Sequence, residues 1–232
     1  MIISGLQKMT LLDYPGRVAC TVFLQGCNFR CPFCHNSGLL GAAQDETIPV
    51  EELLSFLRKR TGILDGVCIT GGEPTLQSDL PALLRQIKAL GYHIKLDTNG
   101  SRPDMLKALV EEKLIDYVAM DVKNCPDRYG ETTGLPQMSA GIEESIAFLL
   151  TDAVDYEFRT TVVEEFHTEE NIMAMGQWLA RMGRPKRLFL QPYADRDSVL
   201  ARGLSTPTAE KLNRFKAALA PYAEFVEIRG AD

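Results

Sequence analysis

The feature that most constrains the fold is an alternation of short apolar, β-branched runs with amphipathic stretches. Residues 18–24 are followed by 50–59, residues 66–70 by 80–90, and residues 94–98 by 103–112. The series continues with 117–122 and 140–150, 156–163 and 169–182, 187–191 and 207–220, and ends in 224–228. Runs this continuously apolar suit parallel strands buried on both faces, and each stretch between them is long enough for a right-handed helical crossover. The pattern predicts an α/β fold with parallel strands, and periodicity alone permits either a doubly wound sheet or a barrel. Helix ends carry their own signals: Glu51 and Glu52 in a first turn, Thr168 as a cap followed by acids, Gly91 and Gly183 as terminators. Residues 124–137 form the longest irregular piece and read as a functional loop. One domain over residues 1–232 is expected.

The chemistry begins where the first of those runs ends. Residues 25–36, the expected cluster-binding loop, gather Cys27, Cys31 and Cys34 within eight positions. A structural zinc takes four ligands, and His35 is the one conceivable substitute for a fourth cysteine. Three thiolates can instead hold three irons of a four-iron, four-sulfur cluster and leave the fourth iron open to a small molecule. Phe33 adds a flat apolar surface beside the third cysteine.

Cys27-x-x-x-Cys31-x-x-Cys34 with its aromatic residue resembles the signature of the radical S-adenosylmethionine (SAM) enzymes. Gly5-Leu6-Gln7-Lys8, Leu12-Asp13-Tyr14-Pro15-Gly16 and Cys34-His35-Asn36 resemble the glycyl-radical activating enzymes, closest to the anaerobic ribonucleoside-triphosphate reductase activating proteins. The resemblance covers essentially the whole chain. It implies a partial (β/α)6 barrel, a cluster held by the three cysteines, and a site at the C-terminal ends of the strands, with SAM contacts that include Phe33 and His35 on the loop.

Each strand end then offers a candidate. Gly71 and Gly72 let the backbone approach a ligand without a Cβ in the way, and Glu73 supplies an acceptor; the resemblance implies contact with the SAM amino group. Asp97 closes an apolar strand and must find a cation or donors. The resemblance implies a monovalent cation near Asp97 and Asp121, by the SAM carboxylate. Asp121 and Lys123 lie two apart and converge on one face while Val122 packs on the other; the pair resembles the family's SAM-binding Asp-x-Lys. Arg159 shares a face with Thr161 and is a candidate for the SAM carboxylate, and Gln191 for the adenosine. Pyruvate formate-lyase activating enzymes place a histidine after the corresponding Pro-aromatic pair, where this chain has Ala194.

Composition excludes little but directs the reading. With 25 basic against 31 acidic residues the charge is −6, which opposes tight binding to a nucleic-acid backbone. Neither a signal-like N-terminus nor a bilayer-length apolar run is present, so a cytoplasmic protein is expected, with no membrane partner. Cys20, Cys68 and Cys125 read as reduced thiols, and His93 and His167 as structural.

The resemblance implies reductive cleavage of SAM to a 5′-deoxyadenosyl radical, which takes a hydrogen atom from one glycine of a partner enzyme. No catalytic side chain is needed beyond the cluster and SAM ligands. A chain of this length has little left for a lid, which suits a polypeptide loop as substrate. The expected partners are anaerobic ribonucleoside-triphosphate reductase and an electron donor such as flavodoxin or ferredoxin. The alternatives are a pyruvate formate-lyase-type activating enzyme, a small-molecule radical SAM enzyme, or a non-enzymatic iron-sulfur or zinc-binding module.

Overall fold

The computed structural model describes residues 1–41, 47–195 and 198–230. Its elements run β1 (Ile3–Thr10), β2 (Ala19–Leu24), α1 (Val50–Arg58), β3 (Gly66–Gly71), α2 (Leu80–Ala89), β4 (His93–Thr98), α3 (Pro103–Glu111) and β5 (Tyr117–Asp121). They continue as α4 (Tyr129–Thr133), α5 (Ala140–Leu149), β6 (Asp155–Val162), α6 (Glu169–Met182), β7 (Arg187–Pro192), α7 (Ala209–Leu219) and β8 (Phe225–Ile228). The strands are hydrogen-bonded in chain order from β1 to β8. A doubly wound sheet reverses its strand order part-way, whereas a barrel-type sheet lays each strand beside the last. The order is that of the partial (β/α)6 class: β2 to β7 supply six strands, each followed by at least one helix. Among the described residues no helix is long and apolar enough to cross a membrane.

The chain divides into two compact units. The first comprises residues 1–28, 38–98 and 102–119. Here β1 pairs antiparallel with β2, and β2, β3 and β4 pair in parallel, with Leu24 opposite Gly71. Buried Ala19, Cys20, Val22 and Leu24 on β2, and Val67, Cys68 and Ile69 on β3, leave no solvated face, as the apolar runs predict. Helix α2 buries Leu80, Leu83, Leu84 and Ile87, the stripe of a one-sided helix, at about 1.5–3 kcal/mol for each such side chain. Gly91 ends it in the left-handed region, with φ +87°.

The second unit comprises residues 29–37, 99–101 and 120–232. Strands β6, β7 and β8 are parallel. Helix α6 is capped by Thr168, whose hydroxyl accepts from the Asn171 N–H at 3.3 Å, and buries Ile172, Met175, Trp178 and Leu179. Glu157, fully buried on β6, is held by both guanidinium nitrogens of Arg229 at 2.8 and 2.9 Å.

Two elements escape the periodicity reading. Strand β1 carries Gly5, Gln7 and Lys8 inside it, so its sequence shows no strand period, and it forms by pairing with β2. The irregular stretch 124–137 contains a 3-10 turn at Pro126–Arg128 and the short helix α4. Thr132, Thr133 and Gly130 are poor helix formers. The segment is helical because Tyr129 is fully buried, its ring edge-on to Trp178 at 6.4 Å.

Candidate functional site

The thiol loop is fixed on both flanks. In the first unit, Gly26 N–H donates to Leu39 O at 2.7 Å, and Gln77 Nε2 donates to Gln25 O at 2.8 Å. Gln25, itself buried, accepts from Ser4 Oγ at 2.5 Å and donates to Gly41 O at 3.1 Å. Cys27 follows directly and is half-buried. In the second unit, Arg30 N–H donates to Thr133 O at 2.8 Å, the end of α4, and Ala201 N–H donates to Pro32 O at 2.9 Å. Cys31 is buried, Cys34 half-buried, and a turn closes between them through Cys34 N–H to Cys31 O at 3.1 Å. The end of helix α4, within the irregular stretch 124–137, thus bonds to the cysteine loop at Arg30.

Among the described residues the six cysteines form no disulfide. Burial pushes the Cys20 thiol up to about 12 and raises that of Cys125, so both stay protonated and inert. Thiolates that each take a different iron of a cubane need not share one point, and among the described residues no three His, Cys, Asp or Glu converge on a single-ion position. Three thiols on a braced loop are a donor set that fits the cluster.

The rest of the first unit's candidates stand at the ends of β3 and β4. Gly71 has φ +128°, and a Cβ there would lie 2.3 Å from both Leu24 N and O. A Cβ on Gly72 would lie 2.0 Å from Gly26 O. These glycines are required by the backbone of residues 24–26, to which they are also bonded, Gly72 N–H to Leu24 O at 2.9 Å and Glu73 N–H to Gly26 O at 2.7 Å. They were expected to approach a ligand; in the structure they also pack against the backbone that leads into Cys27. Glu73 is fully buried, and its Oε1 accepts from Thr75 N–H at 3.0 Å, the Thr75 hydroxyl, and the Thr98 hydroxyl at 2.7 Å. Asp97 is held by the ammonium of Lys95. Sequence reading missed Lys95, although the period of two that pairs Asp121 with Lys123 applies equally two residues before Asp97.

The second unit gathers the charged candidates. Lys123 Nζ donates to Asp121 Oδ2 at 2.9 Å and Arg159 Nε to Asp121 Oδ1 at 3.1 Å. Asp121 and Lys123 thus meet as their spacing predicts, and Arg159 joins them from β6. Burial pushes the Asp121 carboxyl up, but Lys123 and Arg159 outweigh it and hold it at about 2. Burial would lower the Lys123 ammonium; the Asp121 carboxylate and the nearby Cys31 thiol raise it above its ordinary range. The three groups sum to one positive charge, a suitable setting for an anion.

His35 lies with its ring stacked on Tyr193, centroids 5.5 Å apart, and its Nε2 is 2.7 Å from Ala194 O. Ala194 thus contributes its backbone where formate-lyase activating enzymes are expected to contribute a side chain. Phe33 is buried, its ring 5.8 Å from that of Phe166. Gln191 sits in register with Thr161 on the neighbouring strand. His167, structural as expected, is fully buried: Val163 N–H donates to its Nδ1 at 3.1 Å and its Nε2 lies 2.9 Å from Lys123 O.

Residues 21–149 match the radical SAM superfamily. A glycyl-radical enzyme activating enzyme of Methanocaldococcus jannaschii is 36% identical over 179 residues, covering 74% of this chain and 72% of that protein. The pyruvate formate-lyase-activating enzyme of Clostridium pasteurianum is 29% identical over 198 residues, 82% of this chain and 81% of that one. Among solved structures, a radical SAM methyltransferase from Sphaerobacter thermophilus shares the fold, with TM-score 0.73 and 17% identity over 95% of this chain and 68% of its own. The chain belongs to the radical SAM superfamily, in the family of the glycyl-radical enzyme activating enzymes, and is an enzyme that works with a four-iron, four-sulfur cluster and SAM.

Proposed function

We propose that this protein installs a glycyl radical on anaerobic ribonucleoside-triphosphate reductase. The observation that carries the activase reading is the braced loop with Cys27, Cys31 and Cys34, whose three thiolates would hold the cluster and leave one iron for SAM. Held there, a cluster and SAM would supply one-electron reductive chemistry directed at a carbon–hydrogen bond of the substrate. The chain itself binds, orients and excludes water. Gly71 and Gly72 let the backbone leading into Cys27 lie close, and Glu73 orients the turn between them and Thr75. The net positive group of Asp121, Lys123 and Arg159 favours the SAM carboxylate and ribose hydroxyls, with Gln191 toward the adenosine. His35, fixed by Tyr193 and the Ala194 carbonyl, and Phe33, packed on Phe166, hold the loop rigid. No side chain needs to move a proton for hydrogen-atom abstraction.

The reductase as target draws on the N-terminal segments around Gly5 and Asp13 and on Ala194. The formate-lyase alternative draws on the Clostridium pasteurianum similarity. In this reading the chain is a single radical SAM domain with residues 25–36 as its cluster loop, acts in the cytoplasm, and takes electrons from a flavodoxin or ferredoxin.

Anaerobically reconstituted enzyme, SAM and reductant mixed with either partner decide the matter by electron paramagnetic resonance. A glycyl radical on the reductase, with deuterium from that glycine's Cα recovered in 5′-deoxyadenosine, is the expected result. A signal on the formate-lyase alone replaces the target and keeps the activase. If the label stays in both partners while a small metabolite delivers hydrogen to 5′-deoxyadenosine, the activase reading fails.

A further inference from the structure

The Lys123 carbonyl, two residues past the end of β5, meets the ring of His167, whose Nε2 lies 2.9 Å away. A carbonyl oxygen can only accept, so Nε2 carries the proton and donates, and Nδ1 keeps a lone pair. That lone pair faces Val163 N–H, which donates to it at 3.1 Å. Val163 O, 3.2 Å from Nδ1, already accepts from the His167 and Phe166 N–H groups at 3.1 and 3.3 Å. The opposite tautomer would set a lone pair against Lys123 O. Asn124, the next residue after Lys123, makes a second tie, its Nδ2 donating to Phe166 O at 3.1 Å. The turn at 163–167, which follows β6, thus grips the chain leaving β5 through two fully buried side chains, His167 and Asn124.

These ties act on a residue of the charged group described above, since the Lys123 ammonium pairs with Asp121 Oδ2 at 2.9 Å. The direction in which a side chain leaves follows from the backbone at its own position, and residue 123 lies outside the strand. A buried histidine that only filled space could give way to an apolar side chain of its size. This one is matched at both ring nitrogens by backbone groups of two separate segments, and removing it strands the Lys123 carbonyl.

We infer that His167 is a positioning residue for SAM: its donation to the Lys123 carbonyl sets the direction in which the Lys123 ammonium leaves the end of β5. The inference rests on the reading of Lys123 as a SAM contact.

Three substitutions separate the donation from the bulk of the ring. Glutamine carries an amide N–H at about the reach of Nε2, methionine has the same length without a donor, and asparagine reaches only about as far as Nδ1. The readouts on anaerobic, cluster-loaded enzyme are the SAM dissociation constant, iron content and urea midpoint. His167→Gln should bind SAM within about threefold of the wild type, whereas His167→Met and His167→Asn should bind it about tenfold more weakly with iron content unchanged. In a Lys123→Ala background, His167→Met should change SAM affinity by less than about twofold, because the ammonium it acts through is gone. Equal affinity in the glutamine and methionine variants overturns the inference, whatever their stabilities, as does an undiminished effect of His167→Met in the Lys123→Ala background. Where only one of His167→Met and His167→Asn folds, that one decides. If neither folds, with or without His167→Gln folding, the bond serves the fold as a whole and the inference is overturned. Lys123→Ala alone separates this result from the reading beneath it. Unchanged SAM affinity there rejects Lys123 as a SAM contact and the inference with it; a weakened Lys123→Ala beside an unaffected His167→Met rejects the role of His167 alone. No partner protein or turnover enters these measurements, so the activase reading stands or falls separately.

Discussion

At the end of β4 the acid follows its lysine, Lys95-x-Asp97; at the end of β5 it precedes it, Asp121-x-Lys123. Both pairs exist because a strand turns alternate residues to one face, yet the two environments differ. Lys95 is almost completely enclosed, 3.8 Å from the Cys68 sulfur, with its ammonium on the Asp97 carboxylate. Asp121 is 27% exposed, Lys123 13%, and Arg159 adds a second cation, so this group remains net positive and reachable from solvent. The same two residue types thus form an internal brace at one strand end and an anion-attracting cluster at the other. Burial and the third partner make the difference.

The largest effect should come from breaking the enclosed pair. Asp97→Ala removes the carboxylate that meets the buried Lys95 ammonium and should cost about 3–5 kcal/mol in anaerobic urea unfolding, whereas Lys95→Met/Asp97→Leu should be close to neutral. A loss below about 1 kcal/mol for the single variant would mean that Lys95 reaches another anion such as Asp13, and the contrast between the strand ends would fall.

Asp121→Ala leaves two cations together in a wetter place and should cost about 2–3 kcal/mol of stability. SAM affinity should fall by about 1–3 kcal/mol in both Asp121→Ala and Lys123→Ala while iron content stays intact. Val122→Ala, at a fully buried residue between them, should lower stability without changing SAM affinity. Equal affinity in all three variants would assign the Asp121 group to structure alone.

Acid titration separates the same group by sign. Asp121 is depressed from 3.8 to about 2, so the unfolded chain takes its proton first as pH falls. The contribution, about 2 kcal/mol, is complete above about pH 4 and is lost as pH drops through about 2. Asp121→Asn should flatten that limb of the stability curve, read from urea midpoints.

The smallest effect belongs to His167, whose pKa burial lowers. A second proton would sit on Nδ1, facing the Val163 N–H that now donates to it. Stability from this residue is complete above about pH 6.5 and declines as pH falls from there through the lower folded value. His167→Asn should reduce the slope in that window and leave the Asp121 window unchanged.

The elements most legible in the sequence were those with strong periods. Residues 169–182 form α6 as expected, and the other predicted strands and helices fall within two residues of their observed ends. Strand β1 was illegible because Gly5, Gln7 and Lys8 break any alternation, and α4 because its residues prefer not to be helical. At the site, the pairing of Asp121 with Lys123 was legible, while Arg159 was read as a ligand contact and is found on Asp121.

Spacing by itself determined that three thiols share one loop, that strands alternate with helices, and that Asp121 meets Lys123, because each depends only on the local period of the chain. Tertiary structure decided why Gly72 has no side chain, what holds His35, and which end of α4 steadies Arg30. Those contacts join positions 26 and 72, 35 and 194, and 30 and 133, and depend on strand register and packing that no local spacing encodes. Lys95 belongs to both: its face was set by the period of two, but its burial against Asp97 and Cys68 required β3 to be in register beside β4.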